Sequence, residues 1–177
     1  MVARSAWARA RYRARQLAWG WRERLAPEQI EQIRALLTPA ELRLFVAMDD
    51  RDQLHSHRLL RGLLASAPAP GGAEPSRALL AAALLHDVGK GKLATRHRVA
   101  YVLLNAAAPR LTRRLERPDG AAWRGALWRL RHHARLGAER LAASGSAPRV
   151  IALVAGHTSP PGDDGELAWM IAVDADS

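Results

Sequence analysis

The chain has 177 residues, 49% of them hydrophobic, and carries a formal net charge of +10 with no cysteine. This length and apolar content suit one folded domain, and the lack of cysteine excludes disulfides, thiolate zinc sites and cysteine nucleophiles. No stretch approaches the ~18–20 uninterrupted apolar residues of a membrane span, and the arginine-rich start lacks the apolar segment of a secretory signal. A cytoplasmic location is therefore expected, and the arginine excess favours an anionic partner such as a nucleotide, nucleic acid or lipid surface.

Residues 4–24 have a helical pattern in which tryptophans are interspersed with arginines. Such a helix either packs its aromatic side chains on the domain or associates with an anionic lipid or nucleic-acid surface. Packing on the domain is favoured, because aromatic residues at these spacings usually find a core. We therefore expect residues 1–45 to form an N-terminal helical extension, led by a basic amphipathic helix, and residues 46–177 to form the main helical domain.

Helix signals continue through the rest of the chain, without strand-like alternation or internal repeats. The clearest start is Thr38-Pro39-Ala40-Glu41, which combines a capping box with proline at the first helical position. The pattern predicts an all-α fold. After 4–24, the predicted helices span 27–37, a segment starting at 39, 52–65, 75–87, 94–117 with a break near Pro109, 121–132, 133–144, 148–157 and 165–176.

The helix predicted over 75–87 is apolar on every side and ends in the dipeptide His86-Asp87. Pro75 is expected to open it and Gly89 to close it. A helix that is apolar all round is buried, so two ionisable side chains at its end need a partner in a low-dielectric environment. A divalent metal is one such partner, and the alternative is a satisfied core histidine beside an aspartate that ends the helix.

Other helices present a single imidazole or carboxylate at an end or on an apolar face. Each such residue alone is compatible with a structural role, but several buried polar groups without partners would each cost about 1–3 kcal/mol. A shared metal removes that cost, so the set together points to a metal centre. The six residues of the set are His55, His86, Asp87, His133, His157 and Asp174.

The order of a histidine, a His-Asp pair and a final aspartate on successive helices resembles the HD superfamily of metal-dependent phosphohydrolases. Residues 86–90, His-Asp-Val-Gly-Lys, are similar to the superfamily motif His-Asp-x-Gly-Lys, and the resemblance covers about residues 48–177. The additional His133 and His157 resemble the branch with two metals, which includes cyclic-dinucleotide phosphodiesterases and symmetrical dinucleoside-tetraphosphate hydrolases.

The resemblance also implies the ligand sets. His55 is preferred to His57, because the family's first histidine is commonly followed by serine and because residues two apart do not share a helix face. Asp174 fits the family spacing better than Asp176, which stays open as the alternative. The first metal would take His55, His86, Asp87 and Asp174, and the second would take His133 and His157 with Asp87 bridging.

The activity implied by the resemblance is hydrolysis of a nucleotide or related phosphoester or phosphoanhydride by a metal-activated hydroxide. The ligands suit one or two divalent transition-metal ions, with Fe, Mn, Co or Ni favoured over Zn or Mg. Asp87 and Lys90 are the expected catalytic residues, and Lys90 and Arg58 the expected substrate-binding residues. For Lys90 the alternative is a solvated lysine near the negative end of a helix dipole.

The chain departs from the cyclic-dinucleotide phosphodiesterases at residues 156–162, where their second histidine and their tyrosine are missing. A smaller nucleotide or phosphoester is therefore favoured as the substrate over a cyclic dinucleotide. A nucleic-acid partner stays open but is not favoured. Two other functions stay open: a catalytically idle HD domain that binds a nucleotide or a partner, and a basic nucleic-acid-binding protein with structural histidines.

Overall fold

The computed structural model describes residues 24–66, 74–120 and 123–176, and the regular structure in these ranges is entirely helical. The all-α prediction is therefore confirmed for the described part of the chain. The basic helix predicted over residues 4–24 lies outside the described residues, apart from Arg24. In chain order the helices are α1 (Pro27–Leu36), α2 (Pro39–Val46), α3 (Asp50–Ala65), α4 (Arg77–Leu85), α5 (Thr95–Ala107), α6 (Pro109–Leu115), α7 (Trp123–Ala143), α8 (Pro148–Gly156) and α9 (Gly165–Asp176).

The predicted capping box is present at the start of α2. Thr38 Oγ1 accepts a hydrogen bond from the Glu41 amide at 3.3 Å, and Glu41 Oε2 accepts one from the Thr38 amide at 2.9 Å. These bonds satisfy two amides that a helix start leaves without intrahelical partners. The break near Pro109 is also confirmed, since α5 ends at Ala107 and α6 begins at Pro109.

Two predicted boundaries are corrected. The first helical residue of α4 is Arg77 rather than Pro75, because Ser76 is the cap and its Oγ accepts from the Leu79 amide at 3.1 Å. The helices predicted at 121–132 and 133–144 are one continuous helix, α7. Nothing interrupts it at the predicted junction, since residues 126–136 contain neither glycine nor proline.

The chain divides into two compact units, which we name by their composition. The core unit comprises the described residues of 24–91 and 133–176. The basic unit comprises the described residues of 92–132. The extension predicted over residues 1–45 stays a prediction, because most of its first half lies outside the described ranges.

Helix α4 forms the centre of the core unit. Its side chains from Ala81 to Leu85 are at most 4% exposed, as the all-apolar sequence predicts. It contacts α1, α2, α3, α8 and α9, and burial of each leucine contributes about 1.5–3 kcal/mol. Because α3 and α9 each carry one predicted ligand and His157 directly follows α8, packing on α4 decides where those side chains meet.

Within the described residues, no helix combines the length and the apolar character needed to cross a membrane.

Candidate metal centre

The structure brings all six predicted ligands together in the core unit. Four of them are imidazoles whose rings follow one another with centroids 4.9 to 5.2 Å apart. The donor atoms form two groups, and within each group they lie within 4.8 Å of one another. The groups are His55, His86 and Asp174, and Asp87, His133 and His157.

Asp87 lies between the two groups. Its Oδ2 is 3.4 Å from His86 Nε2, and its Oδ1 is 3.5 Å from His133 Nε2. The side chain is 1% exposed, so its orientation is fixed by the surrounding core. One carboxylate therefore directs one oxygen toward each group, as a bridging ligand requires.

The structure separates His55 and Asp174 from the alternatives that the sequence left open. Asp174 Oδ1 is 2.9 Å from His55 Nε2 and 3.8 Å from His86 Nε2, whereas Asp176 is exposed. His57 is buried away from the cluster, with its Nε2 3.4 Å from Gln32 Oε1. The preference for His55 and Asp174 as members of the cluster is thus supported by position.

Two of the histidines are oriented by the ends of their helices. His86 Nδ1 donates to the Ala83 carbonyl at 2.9 Å, and His157 Nδ1 donates to the Val154 carbonyl at 2.7 Å. Those carbonyls lie in the last turns of α4 and α8, where backbone carbonyl groups have no intrahelical hydrogen-bond donor. A proton on Nδ1 leaves Nε2 with a lone pair that points into the cluster, which is the arrangement of metal-ligating histidines.

The charges at the centre also suit a cation. Burial lowers the pKa of His157 to about 3, with help from His86 and His133, so this imidazole is neutral at ordinary pH. Burial alone would raise the pKa of Asp87, but His86, Lys90 and His133 outweigh it and hold that pKa well below its usual range. The centre therefore combines an anionic carboxylate with a neutral imidazole.

His55 and Asp174 influence each other. Burial lowers the pKa of His55, but contact with Asp174 and the charge of Asp87 outweigh it and raise that pKa above its ordinary value. Burial raises the pKa of Asp174, but His55 and His86 outweigh it and lower that pKa. The pair stabilises an ionised Asp174, the protonation state that binds a metal.

The turn after α4 packs directly on α7. A Cβ built on Gly89 would lie 1.9 Å from the His133 carbonyl oxygen and 2.7 Å from the Gly137 amide nitrogen. Arg140 reaches back from α7 to donate to the Val88 carbonyl. The sequence predicted Gly89 as the end of a helix, but it did not identify Gly89 or Arg140 as residues that contact each other's elements across this packing. These residues set the separation between Asp87 and His133.

Lys90 contacts Asp87 Oδ2 through its Nζ. Lys90 lies in the turn that follows α4, which ends at Leu85, rather than in the helix itself. The turn achieves the contact instead, with the Lys90 amide donating to the Asp87 carbonyl at 3.0 Å. Arg58, the other predicted substrate-binding residue, is exposed on α3 and belongs to neither ligand group.

The residues present fit a divalent metal. Asp87 Oδ1 is buried and accepts no hydrogen bond from any described residue, although an unsatisfied charged acceptor destabilises a fold by about 1–3 kcal/mol or more. Mixed imidazole and carboxylate donors without sulfur are ligands of divalent transition metals. The cluster can therefore hold one or two such ions.

Comparison of the chain with models of known protein families, with curated proteins and with solved structures finds no match.

Proposed function

We propose that this protein is a metal-dependent phosphohydrolase of the HD type, acting on a nucleotide or a related phosphoester or phosphoanhydride. The observation that carries the proposal is the position of Asp87, with one oxygen 3.4 Å from His86 Nε2 and the other 3.5 Å from His133 Nε2. A carboxylate shared in this way suits two cations side by side.

The ligand assignment follows the two groups. The first metal would be held by the group of His55, His86 and Asp174, the second by His133 and His157, and Asp87 would contribute to both. Fe, Mn, Co and Ni suit this donor set better than Zn or Mg. When bound, such ions lower the pKa of water and offset negative charge on phosphoryl oxygens.

Access to the centre is uneven. The side chains of His55 and Asp174 are 29% and 34% exposed, whereas those of His86 and Asp87 are 2% and 1% exposed. A phosphoryl group therefore approaches from the His55 and Asp174 side, where the centre is most exposed. This restricted entrance favours a small phosphorylated substrate.

Lys90 supplies a positive charge beside Asp87. Its side chain is 19% exposed and its ammonium contacts Asp87, so this ion pair holds the ammonium in place. An ammonium fixed there stabilises negative charge that develops on phosphoryl oxygens or on a leaving group. Arg58 stays a weaker candidate for the same role, because its side chain is exposed.

The first test is metal content. Purified protein, reconstituted with Mn or Fe and desalted, is expected to hold about one or two ions per chain by elemental analysis. Asp87→Asn keeps the shape of the side chain but removes its charge, and it is expected to lose metal. Asp176→Asn removes the same charge from an exposed residue at the end of α9 and is expected to keep the wild-type stoichiometry.

The second test is turnover. The loaded protein is assayed against phosphodiester, nucleotide and dinucleoside polyphosphate substrates, and hydrolysis of at least one class is expected, absent in Asp87→Asn. A loaded protein that turns over none of them overturns the hydrolase proposal and leaves a metal-holding binding module. A protein that takes up no metal overturns both the hydrolase and the metal-holding binding module.

A further inference from the structure

Among the described residues, the net positive charge lies in the basic unit. Its described residues, 92–120 and 123–132, contain ten arginine or lysine residues and only two carboxylates, a net charge of +8. The described residues of the core unit contain eleven basic and fourteen acidic residues, a net charge of −3. Within the described part of the chain, the positive excess therefore belongs to the unit that lacks the candidate metal centre.

Four exposed arginines of this unit, Arg110, Arg113, Arg114 and Arg117, form what we call the basic row. The first three lie on one side of α6 at spacing i, i+3 and i+4, and Arg117 follows the end of the helix. Thr112, on the opposite side of α6, is fully buried, so that side of the helix faces the protein interior. The basic row is therefore held toward solvent.

The guanidinium groups at the start of the basic row are available to a ligand. Among the described residues, no ion-pair partner faces Arg110, Arg113 or Arg114. The nearest acid along the chain, Glu116, is 2.7 Å from Arg131 Nη1 and is thus already paired. Arginine presents a planar fork that matches two phosphate oxygens, so this face is suited to phosphate groups.

An exposed tryptophan lies at the end of the basic row. Arg124 Nε donates to the Leu115 carbonyl at 2.7 Å, and the Arg117 amide donates to the Arg124 carbonyl at 3.4 Å. These bonds join the end of α6 to the start of α7, where Trp123 is 42% exposed. An exposed indole beside arginines is the combination that binds single-stranded nucleic acid, because a base stacks on the ring while the backbone follows the charges.

We propose that the basic row and Trp123 form a binding surface for single-stranded nucleic acid, separate from the metal centre. The guanidinium groups of Arg110, Arg113 and Arg114 contact successive phosphates, and the indole of Trp123 stacks on a base. A lipid surface fits less well, because membrane-bound helices insert a broad apolar face. In the described part of the basic unit, only Leu111 and Trp123 are large, apolar and exposed.

The test is fluorescence anisotropy with labelled oligo-dT and oligo-U of about 20 nucleotides, longer than one binding site. Binding of the full chain is measured from about 50 to 200 mM salt. The variant Arg110→Gln/Arg113→Gln/Arg114→Gln is compared with Arg34→Gln/Arg43→Gln/Arg61→Gln. The second set removes the same charge from exposed residues of the core unit.

Each lost phosphate contact on a single strand lowers the slope of log K against log salt by about 0.7. The basic-row variant is therefore expected to lose about two units of slope and about 100-fold in affinity near 0.1 M salt. The core-unit variant is expected to stay within a few-fold of wild type. Should the triple variant fail to fold by circular dichroism, Arg114→Gln alone is expected to lower the slope by about 0.7.

Trp123→Ala gives a different signature. It is expected to weaken binding about fivefold or more without changing the salt slope, because stacking releases no counterions. Equal losses in the two arginine variants, or unchanged binding in the basic-row variant, overturn the proposed surface. If the basic row binds phosphatidylserine vesicles and the protein binds neither oligonucleotide, the surface is a lipid-binding surface, and the nucleic-acid proposal is overturned as well.

Discussion

The contact between Gly89 and α7 allows a sharp prediction for Gly89→Ala. The added Cβ would lie 1.9 Å from the His133 carbonyl oxygen and 2.8 Å from its carbonyl carbon. An ordinary van der Waals contact begins at 3.4 Å. Because both partners are backbone atoms, no side chain can rotate away, and the turn must separate from α7 by roughly 1.5 Å, the difference between the two distances.

That displacement acts on stability and on the metal centre. Overpacking of this kind costs about 2–3 kcal/mol, which lowers the Tm by roughly 4–12 °C for a chain of this size. Metal–ligand distances tolerate only about ±0.2 Å, so a shift of roughly 1.5 Å between Asp87 and His133 removes the second metal position. The group of His55, His86 and Asp174 is affected less, because α7 carries none of its ligands.

The assay combines metal titration with thermal unfolding, and Gly137→Ala is the matched control. Its Cβ would meet Val154 Cγ1 at 3.2 Å and Val88 Cγ2 at 3.4 Å, both of them side-chain atoms. The only backbone atom among its nearest neighbours, the Gly89 amide nitrogen, lies at an ordinary contact distance of 3.4 Å. Helix propensity also favours alanine there by about 0.5–1 kcal/mol. Gly137→Ala is therefore expected to keep both the Tm and the metal content. If Gly89→Ala binds metal with wild-type stoichiometry and affinity, the packing contact does not position Asp87 against His133.

Three further outcomes are expected. His55→Gln should lower metal content, whereas His57→Gln, two residues away but turned toward Gln32, should retain it; equal metal loss in both would contradict the assignment. Metal at a concentration 100-fold above its Kd should stabilise the folded protein by about 2.7 kcal/mol, so removal of the metal with a chelator should lower the Tm accordingly. An unchanged Tm would exclude metal binding. Arg149 donates two 2.7 Å hydrogen bonds to Asp164, whose pKa it lowers to about 2, and two more to Glu166. The contact with Asp164 stabilises the fold above about pH 4 and loses that effect as the pH falls toward 2. Arg149→Met should thus be less stable than wild type by about 1 kcal/mol at neutral pH, after allowance for solvent screening, with the difference closing near pH 2 in urea titrations.

Local signals in the sequence were sufficient for most of the fold. The capping box at Thr38 and the proline at 109 specify helix ends through side chains that lie within a turn of the backbone they satisfy. The start of α4 was less certain, since proline and serine are both found at helix starts and stand next to each other at 75 and 76. The junction predicted after His132 had no breaker to support it, and α7 accordingly continues through it.

The candidate centre was predictable only in part. Polar residues at the ends of apolar helices can be recognised in a sequence, because burying a polar group without a partner is costly. This signal identified all six side chains of the cluster. The contact of Gly89 with His133 joins residues far apart in the sequence, and no local pattern records which backbone a glycine approaches. The hydrogen bond from Arg140 to the Val88 carbonyl depends on the same long-range packing.

The imidazoles of His86 and His157 cap the last turns of α4 and α8 by donating to the Ala83 and Val154 carbonyls. Fraying of either helix terminus therefore rotates a ring out of the cluster, and occupancy of the cluster in turn resists fraying. Local opening of these two helix ends, as read by hydrogen exchange, is thermodynamically linked to ligation. Amide protection there reports on the state of the centre without any assay of turnover.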